Sequence, residues 1–453
     1  MIFKKASEKI NTFIPKEALL LSGLIFLSYV LGLVRDRIFA RTFGLSSALD
    51  AYNAAFILPE LFIDVLISGA LGAAFIPLFV EIYKKDKARS EEFANTTITS
   101  AVLVMIIGAA VLILFAPKTV SLIVPGFNAE NQLLYSNLLR IMALSPIIFA
   151  LSISLGEILV AKRQFLFYGL APILYNFGII LGTIILSPKI GIFGAAIGSI
   201  LGALLYLAIR LLGIFRSDFS LKPAFNIKMP EFRKLLVLML PKMFGHPIEP
   251  LTFLFFTAAA SRIGSGDISA ISFGRNFQSV PVALIGIAFS IVVFPVLSEY
   301  ASGGNRADFI KTFKKTFTAI LLLSLPATFG MYLFGPLVIE RFFGGGEFTQ
   351  EAIQRTSLIL GFFSISIPLE SLSHLLSRAF FATKNTFIPV CAAFAGLLTI
   401  VITTNYLSPT LGIIALPIAF AAGTATKILL LGAILPLRVR FIRKNSLLDV
   451  ASI

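Results

Sequence analysis

Long apolar segments recur along the whole chain, and they constrain its fold more than any other feature. Segments such as 101–116 and 388–404 approach the roughly 20 residues that a helix needs to cross a bilayer. Hydrophobic residues make up 57% of the 453 residues and charged residues 13%, whereas about a quarter of a soluble domain is charged. One large soluble core is therefore excluded, and the sequence predicts a polytopic membrane protein.

The apolar segments are continuous and do not alternate between apolar and polar residues, which excludes a transmembrane β-barrel and predicts an all-α fold. Helix breakers and charge clusters divide the chain into about twelve transmembrane helices. Several are longer than a bilayer requires, so we expect them to tilt, kink or project beyond it. The predicted helices span 17–36, 49–83, 92–116, 131–161, 167–187, 191–215, 233–262, 267–300, 310–335, 352–383, 386–407 and 411–437.

The formal net charge of +15 comes mainly from cations in the short loops between apolar segments. Because these cations are not gathered on one face of a soluble module, we expect no nucleic-acid partner. Basic clusters alternate from loop to loop, so the positive-inside rule predicts that both termini are cytoplasmic. Arg35, Arg37 and Arg41, which we assign to the first outer loop, are the exception. The clusters are Lys84, Lys85, Lys87 and Arg89; Lys162 and Arg163; Arg216, Lys222, Lys228, Arg233 and Lys234; Lys311, Lys314 and Lys315; and Arg438, Arg440, Arg443 and Lys444.

An internal repeat organises the chain. The run Leu186-Ser187-Pro188-Lys189-Ile190-Gly191-Ile192 recurs in the second half of the chain as Leu407-Ser408-Pro409-Thr410-Leu411-Gly412-Ile413, and shorter matches lie near the same offset. Chance matching in a compositionally biased chain is the alternative. Six helices in each half would give both halves the same orientation, as in transporters whose pathway lies between parallel repeats. We therefore predict an N-terminal lobe at 1–215, a cytoplasmic linker at 216–232 and a C-terminal lobe at 233–453.

Polar side chains interrupt several of the apolar segments. An ionised residue at a helix centre costs roughly 2.5–3.5 kcal/mol on insertion scales, so these groups should avoid lipid. One interpretation is that they line a hydrated cavity between the lobes, and the alternative is that they form buried ion pairs that fix helix packing. The residues are Asn53, Glu60, Asp64 and Ser68, spaced for one face of the second helix, and Glu249, Arg275 and Glu370 in later segments.

Both histidines stand one helical turn from a carboxylate. Glu370, His374 and Arg378 share one helix face, and His246 precedes Glu249. Since histidine titrates near neutral pH, Glu249, Glu370 and His374 are candidates for proton or ion coupling, with a packing role as the alternative. The chain has no recognisable zinc ligand set and no hydrolase, metalloprotease or phosphate-loop motif. We therefore expect no enzyme activity, no metal and no cofactor beyond a coupling ion or the membrane potential.

A series of short motifs, in order along nearly the whole chain, resembles the MurJ (MviN) family of lipid II flippases, within the multidrug/oligosaccharidyl-lipid/polysaccharide exporter superfamily. Each motif alone is weak, and the set is fairly specific. The motifs are Val30-Leu31-Gly32-Leu33-Val34-Arg35-Asp36, Phe43-Gly44, Asp50-Ala51, Leu58-Pro59, Ala74-Phe75-Ile76-Pro77, Pro125-Gly126-Phe127, Ala171-Pro172-Ile173-Leu174-Tyr175-Asn176, Arg275, Ala301-Ser302-Gly303-Gly304-Asn305, Gly346-Glu347-Phe348-Thr349 and Arg378-Ala379-Phe380-Phe381-Ala382.

The resemblance implies a two-lobed, V-shaped transporter in a bacterial plasma membrane, which we expect to act as a monomer. Such a protein moves a polyprenyl-diphosphate-linked peptidoglycan precursor from the inner to the outer leaflet by alternating access. Arg35, Asp36, Asp50 and Arg275 fall on polar positions characteristic of the family. By this resemblance, Arg275 would bind the diphosphate through charge-assisted hydrogen bonds, and Arg35 and Asp50 would act in gating near the outer mouth.

The chain also departs from the family pattern. Tyr29 replaces an arginine of the first helix, Ile63 and Asp64 replace a basic pair of the second, and Ser68 replaces an acidic residue. Many family members also have two helices more than the twelve predicted here. Because Glu60 and Asp64 make this face acidic, the alternative function is a cation-coupled exporter of amphipathic compounds or of other lipid-linked oligosaccharides. A scaffold for cell-wall enzymes is disfavoured, since the loops are too short for a soluble binding domain.

Overall fold

The computed structural model describes residues 16–65, 69–245, 248–440 and 442. Ser68, His246, Arg443 and Lys444 lie outside the described residues. Packing divides the chain into two units, Met1–Leu254 and Phe255–Ile453. The first unit contains α1 (Lys16–Phe43), α2 (Ser47–Ile63), α3 (Gly69–Tyr83), α4 (Lys87–Ile123), α5 (Ala129–Met142), α6 (Ser145–Ala161), α7 (Phe165–Ile190), α8 (Phe193–Phe215) and α9 (Pro230–Gly245).

The boundary between the units falls within α10 (Ile248–Ser261). A π-helical segment, Val282–Ile287, joins α11 to α12, and a short 3-10 helix, Gly412–Ile414, joins α16 to α17. The second unit contains α11 (Asp267–Pro281), α12 (Ala288–Ser302), α13 (Arg306–Phe343), α14 (Gln350–Ser364), α15 (Ser366–Ala382), α16 (Phe387–Leu411) and α17 (Ala415–Val439).

Within the described residues, every predicted apolar segment coincides with one helix or with two successive helices, which confirms the all-α fold. Length and hydropathy qualify seven helical stretches of the described chain as membrane-crossing, or up to eight when α14 and α15 count as one span. One stretch, Phe387–Val439, consists of α16 and α17 packed side by side, with Gly396 in backbone contact with Gly423. The chain is a polytopic membrane protein.

Two of the predicted helices are interrupted at equivalent places in the two units. The segment 131–161 breaks at Leu144 between α5 and α6, and the segment 352–383 bends by 43° at Ile365 between α14 and α15. In each case a proline follows in the first turn of the second helix, at Pro146 or Pro368. The missing N–H costs no intrahelical hydrogen bond there, so proline is compatible with a new helix start.

The predicted repeat has a counterpart in backbone detail. Asn128 and Thr349, separated by the same offset as the repeated run, each cap the N-terminus of a helix by accepting a hydrogen bond from the backbone three positions on. Arg163 and Lys384, again at this offset, adopt left-handed backbone conformations, with φ of 59° and 57°. Non-glycine residues rarely adopt this conformation, so its recurrence at the same offset argues against chance sequence matching.

The assignment of Arg35, Arg37 and Arg41 to an outer loop is wrong, because all three lie in α1. This helix runs on to Phe43 and ends where Gly44 takes a φ of 60°. No proline or glycine stands between Asp36 and Phe43 to end the helix earlier.

Helix α9 belongs to the hydrophobic core of the first unit, where it packs against α3 and α4. Phe232 and Leu235 of α9 join a cluster that includes Phe75 of α3 and Phe93 of α4, whose rings stack with centroids 5.4 Å apart. The same core is closed by Phe219 of the 216–229 segment. The chain after α8 is therefore anchored to the first unit by both Phe219 and α9.

Candidate functional site

A charged cluster in the first unit is centred on Arg35 of α1. Its Nη2 and Nε donate to Oδ1 of Asp36 over 2.8 and 3.1 Å, and its Nη1 donates to Oδ1 of Asn176 on α7 over 3.1 Å. Asn176 in turn donates to the carbonyl of Pro172 over 3.2 Å. Asp36 is buried. The guanidinium is thus held by one carboxylate and one amide, which offsets the cost of placing a cation in an apolar helix.

The start of α2 lies beside this cluster and carries Asp50 and Tyr52. Ser46 caps the helix by accepting from the backbone of Leu49, and Asp50 is fully buried in the first turn, where the helix dipole favours a negative charge. The hydroxyl of Tyr52 is 2.8 Å from that of Ser199 on α8. Tyr52 also lies within electrostatic range of Arg35.

The predicted acidic face of α2 is present over the part that the structure describes. The backbone N–H of Asp64 donates to the carbonyl of Glu60, so the two carboxylates stand one turn apart. Asn53 is half-buried and Glu60 is exposed at the surface of the unit. Asp64, Arg35 and Glu249 are the electrostatic neighbours of Glu60. Carboxylates from α2 and α10 therefore gather beside the arginine of α1.

A second cluster, in the second unit, is centred on Arg275 of α11. The guanidinium donates two hydrogen bonds, of 2.8 and 2.7 Å, to the two oxygens of Glu370 on α15. Gln278 accepts from Arg275 and donates to Glu370 over 3.1 Å and to Ser366 over 3.0 Å. The ring of Phe420 on α17 lies 4.9 Å from the guanidinium carbon. This bidentate arrangement is the strongest geometry for such a pair.

His374 extends the second cluster by one turn of α15. Its electrostatic neighbours include Glu370, Lys427, Arg275 and Arg378. The guanidinium of Arg378 lies over the ring of Phe294, 5.6 Å from its centroid. The side chains of Arg275 and Glu370 are only 11% and 12% exposed. For Arg275 and Glu370 the structure therefore has the ion pair that was one of the two interpretations of the sequence.

The predicted residues thus form one cluster in each unit. Arg35, Asp36, Glu60, Asp64 and Glu249 belong to the first, with Asp50 and Asn53 on the same helix α2, and Arg275, Glu370 and His374 belong to the second. Sequence reasoning missed Asn176 and Gln278 as members. Both are neutral amides, and each is recognised as a member only by its contact with a charged side chain on another helix, Arg35 for Asn176 and Glu370 for Gln278. Spacing within one helix carries no sign of such a partner.

A fully buried cation, Arg210 of α8, was also missed. Arg210 is only 2% exposed. Its guanidinium donates to the carbonyl of Ser152 over 3.1 Å and to the hydroxyl of Tyr206 over 2.7 Å. Its guanidinium lies 4.5 and 4.7 Å from the ring centroids of Tyr168 and Tyr206. Cation–π contacts of this kind gain strength when desolvated, so Arg210 fastens α8 to α6 and α7.

Comparison with known proteins identifies the family that the whole chain resembles. The sequence profile of the family described as "Lipid II flippase MurJ" matches residues 39–452. A probable lipid II flippase MurJ of Rickettsia prowazekii is 27% identical over 393 residues, which are 86% of this chain and 77% of that protein. The lipid II flippase MurJ of Burkholderia cenocepacia is 26% identical over 424 residues, 91% of this chain and 82% of that protein.

Solved structures give the same result. A lipid II flippase MurJ in an inward closed conformation matches with a TM-score of 0.81 and 26% identity, over 94% of this chain and 90% of that one. An inward-facing multidrug transporter of the MATE family matches with a TM-score of 0.77 and 15% identity, over 94% and 99% of the two chains, and shows a shared fold only. The resemblance read from the sequence motifs is confirmed: the chain belongs to the lipid II flippase MurJ family.

Proposed function

We propose that this protein translocates lipid II, the polyprenyl-diphosphate-linked precursor of peptidoglycan, from the inner to the outer leaflet of a bacterial plasma membrane. The observation that carries the proposal is the family match over residues 39–452, which includes both charged clusters apart from Arg35 and Asp36. A diphosphate is an anion that needs a desolvated cationic partner inside the membrane. The two clusters supply such cations at Arg35 and Arg275.

Arg275 acts in this proposal by exchanging one anion for another. In the structure its guanidinium is satisfied by Glu370 in a bidentate pair. A phosphate offers the same two-oxygen geometry, so the diphosphate can replace the carboxylate without leaving the cation unpaired. Gln278 and His374 then remain beside the released Glu370. Arg35, with Asp36, Asp50 and Asn176, has the gating role.

The carboxylates of the first cluster couple translocation to the binding of a cation or proton. Glu60, Asp64 and Glu249 lie close enough to interact electrostatically, and a cation or proton that reduces their repulsion would favour one state of the transporter over another. Glu370 and His374 are the corresponding candidates in the second unit. The protein acts as a monomer with both termini in the cytoplasm, and membrane lipid and the lipid-linked substrate are its partners.

The test is translocation of fluorescent lipid II in liposomes that contain the purified protein. Arg275→Ala should lower the rate at least tenfold, since a lost hydrogen bond between charged groups is worth about 1.5–3 kcal/mol. Lys189→Ala, which removes a cation at the exposed end of α7, is the matched control and should keep the wild-type rate. Equal rates for the two variants would remove Arg275 from the site.

Rescue in cells tests the substrate directly. Cells depleted of their only lipid II flippase should resume growth when this chain is expressed, and the Arg275→Ala variant should fail at equal membrane abundance. Failure of the wild-type chain itself, despite correct insertion, would contradict lipid II as the substrate.

A cation-coupled exporter of amphipathic compounds is the second candidate. The grouping of Glu60, Asp64 and Glu249 around one arginine favours it, because the carboxylates outnumber the cation. Efflux of cationic dyes driven by a proton or sodium gradient, and abolished by Glu60→Gln with Asp64→Asn, would support this function. Lipid II translocation without any dye efflux would exclude it.

A further inference from the structure

A cavity of about 630 Å³ opens in the second unit at one end of its helices. Three elements form its wall: the last turn of α12, the turn between α15 and α16, and the end of α17. None of its residues belongs to the charged clusters described above. The polar residues of the wall are Ser298, Glu299, Ser302, Thr383, Lys384 and Arg438.

The cavity lies where apolar helices end. The membrane-crossing stretch Asp267–Ser302 finishes at the cavity wall, and the stretch Phe387–Val439 both begins and finishes beside it. The ends of such stretches mark the boundary between hydrocarbon and headgroups. Phe381 in the wall is 39% exposed and nearby Phe387 is 74% exposed. The cavity is therefore at headgroup level, with exposed apolar rings beside it.

Two cations in the wall have no anionic partner among the residues that the structure describes. Arg438 donates to the carbonyl of Thr383 over 2.9 Å and to its hydroxyl over 3.5 Å, both neutral groups. Lys384 is exposed in its left-handed turn. Within that part of the chain, no carboxylate lies within 4.0 Å of either side chain. Both cations are thus available to an anion in the cavity.

The equivalent turn of the first unit shows how cations beside such a turn are neutralised. There Lys162, next to Arg163, which is the counterpart of Lys384, pairs with Asp218 from the chain after α8. Lys87 and the hydroxyl of Tyr83 also donate to Asp218, over 3.1 and 3.0 Å. In the first unit a carboxylate of the chain itself therefore neutralises the cations beside this turn. After α17, the described positions hold only Arg440 and Ile442, so no described residue supplies the equivalent anion.

We propose that the cavity binds the headgroup of a phospholipid, with the phosphate on Lys384 and Arg438. Basic pockets between membrane helices are suited to lipid phosphates. Glu299 in the same wall disfavours a headgroup that is only anionic and offers a partner to an ammonium group. The headgroup that satisfies all three charges is zwitterionic, a phosphate ester carrying a primary amine, as in phosphatidylethanolamine. This site is separate from the translocation function proposed above.

The test is native mass spectrometry of the purified full-length protein, titrated with phosphatidylethanolamine, phosphatidylglycerol and diacylglycerol of the same acyl chains. We expect phosphatidylethanolamine to bind most tightly. Lys384→Ala with Arg438→Ala should weaken its binding about twenty-five-fold, because each cation near a lipid phosphate contributes roughly fivefold in affinity. Lys384→Ala alone, which leaves the contact of Arg438 with Thr383 intact, should weaken it about fivefold. The control is Lys314→Ala with Lys315→Ala, two exposed cations of α13, and should bind as the wild type does.

Competing lipids and inorganic phosphate show which headgroup the cavity prefers. Glu299→Gln should bring phosphatidylglycerol level with phosphatidylethanolamine, since it removes the partner of the amine. Equal binding of both phospholipids by the wild-type protein would overturn the zwitterionic assignment. Displacement of the lipid by millimolar inorganic phosphate would show a site for free phosphate instead. Equal affinities for the Lys384 variants and the α13 control would refute the site altogether.

Discussion

Gly191 and Gly412, which occupy the same position in the two copies of the repeated run, end equivalent helices in nearly the same conformation. The first has φ 60° and ψ −140°, and the second has φ 55° and ψ −132°. Only glycine adopts this region without strain. The two residues also follow the same Ser-Pro sequence that first indicated the repeat. The same glycine turn therefore reverses the chain between α7 and α8 in the first unit and between α16 and α17 in the second.

Substitution of either glycine should cost stability in proportion to backbone strain alone. A Cβ at Gly191 would meet no atom within 4 Å, and at Gly412 only Ile263 at 4.0 Å. We expect Gly191→Ala and Gly412→Ala each to lower the free energy of unfolding by about 1–3 kcal/mol, measured by denaturant unfolding in detergent. Gly330→Ala, in open space within α13, is the control and should raise stability by roughly 0.5–1 kcal/mol. An unchanged free energy of unfolding in both variants would contradict the argument that these turns require glycine.

Much of the fold could be predicted from the sequence, because a bilayer imposes long apolar helices and short polar connections. The breaks within the helices were harder to place. Pro59 and Pro77 lie inside α2 and α3, whereas Pro146 and Pro368 follow a break. Proline marks a break only when the surrounding packing satisfies the freed carbonyl in another way. Sequence spacing does not contain that information.

The individual residues of the candidate site could be predicted from the sequence, but their contact partners could not. Charges in apolar segments stand out, so Arg275 and Glu370 were found, whereas Arg35 was identified through the family resemblance. Beyond its neighbour Asp36, Arg35 pairs with Asn176, 141 positions away, and Arg275 pairs with Glu370, 95 positions away. A single sequence reports neighbours along one helix, whereas these contacts depend on which helices pack together.

Arg210 provides a sharp test of close packing in the first unit. A Cβ on Gly156 would lie 1.2 Å from Nη1 of Arg210, so Gly156→Ala must displace the guanidinium from Ser152 and the tyrosine rings. We expect a loss of about 3 kcal/mol in unfolding free energy, typical of a buried charge deprived of its partners. Gly156→Ala combined with Arg210→Met removes the displaced charge and should recover most of the loss. Equal losses for the single and double variants would show that the charge is not the cause.

Asp218 should make a small, pH-dependent contribution to stability. A hydrogen bond from Lys162, and a weaker contribution from Lys87, hold the pKa of Asp218 well below its usual range. A carboxyl group whose pKa is lowered on folding stabilises the protein above its unfolded pKa of about 3.9, and that contribution is lost as the pH falls through the lower folded value. Asp218→Asn should therefore lower the melting temperature by only ~1–2 °C at pH 7, because the pair is exposed.

The difference between wild type and Asp218→Asn should stay constant from pH 8 to about pH 5, shrink below about pH 4 and weaken in 1 M salt. Glu130→Gln, an exposed acidic residue at the start of α5, is a control for the loss of one negative charge. A difference that grows as the pH falls would have the wrong sign for a lowered pKa.

Asn176 should matter for transport because it holds Arg35. Asn176→Leu removes both the acceptor for Arg35 and the donor to Pro172, and we expect the rate of lipid II translocation to fall about tenfold. Asn176→Asp keeps an acceptor and should retain most of the rate. Asn137 of α5 also accepts from an arginine, Arg140, so Asn137→Leu is the matched control. If it lowers the rate as much as Asn176→Leu does, the effect is not specific to the Arg35 cluster.

The pair of Arg275 and Glu370 separates a structural role from a role in transport. Glu370→Gln removes the charge that faces the guanidinium and should lower the free energy of unfolding by about 3 kcal/mol. The same change leaves Arg275 able to hold a diphosphate without competition from a carboxylate, so lipid II should bind more tightly and be released more slowly. The charge swap Arg275→Glu with Glu370→Arg restores the ion pair and should recover much of the stability. It moves the cation from α11 to α15, however, and therefore should not restore translocation. Recovery of both stability and translocation by the swap would mean that the pair only joins the two helices and that the diphosphate binds elsewhere.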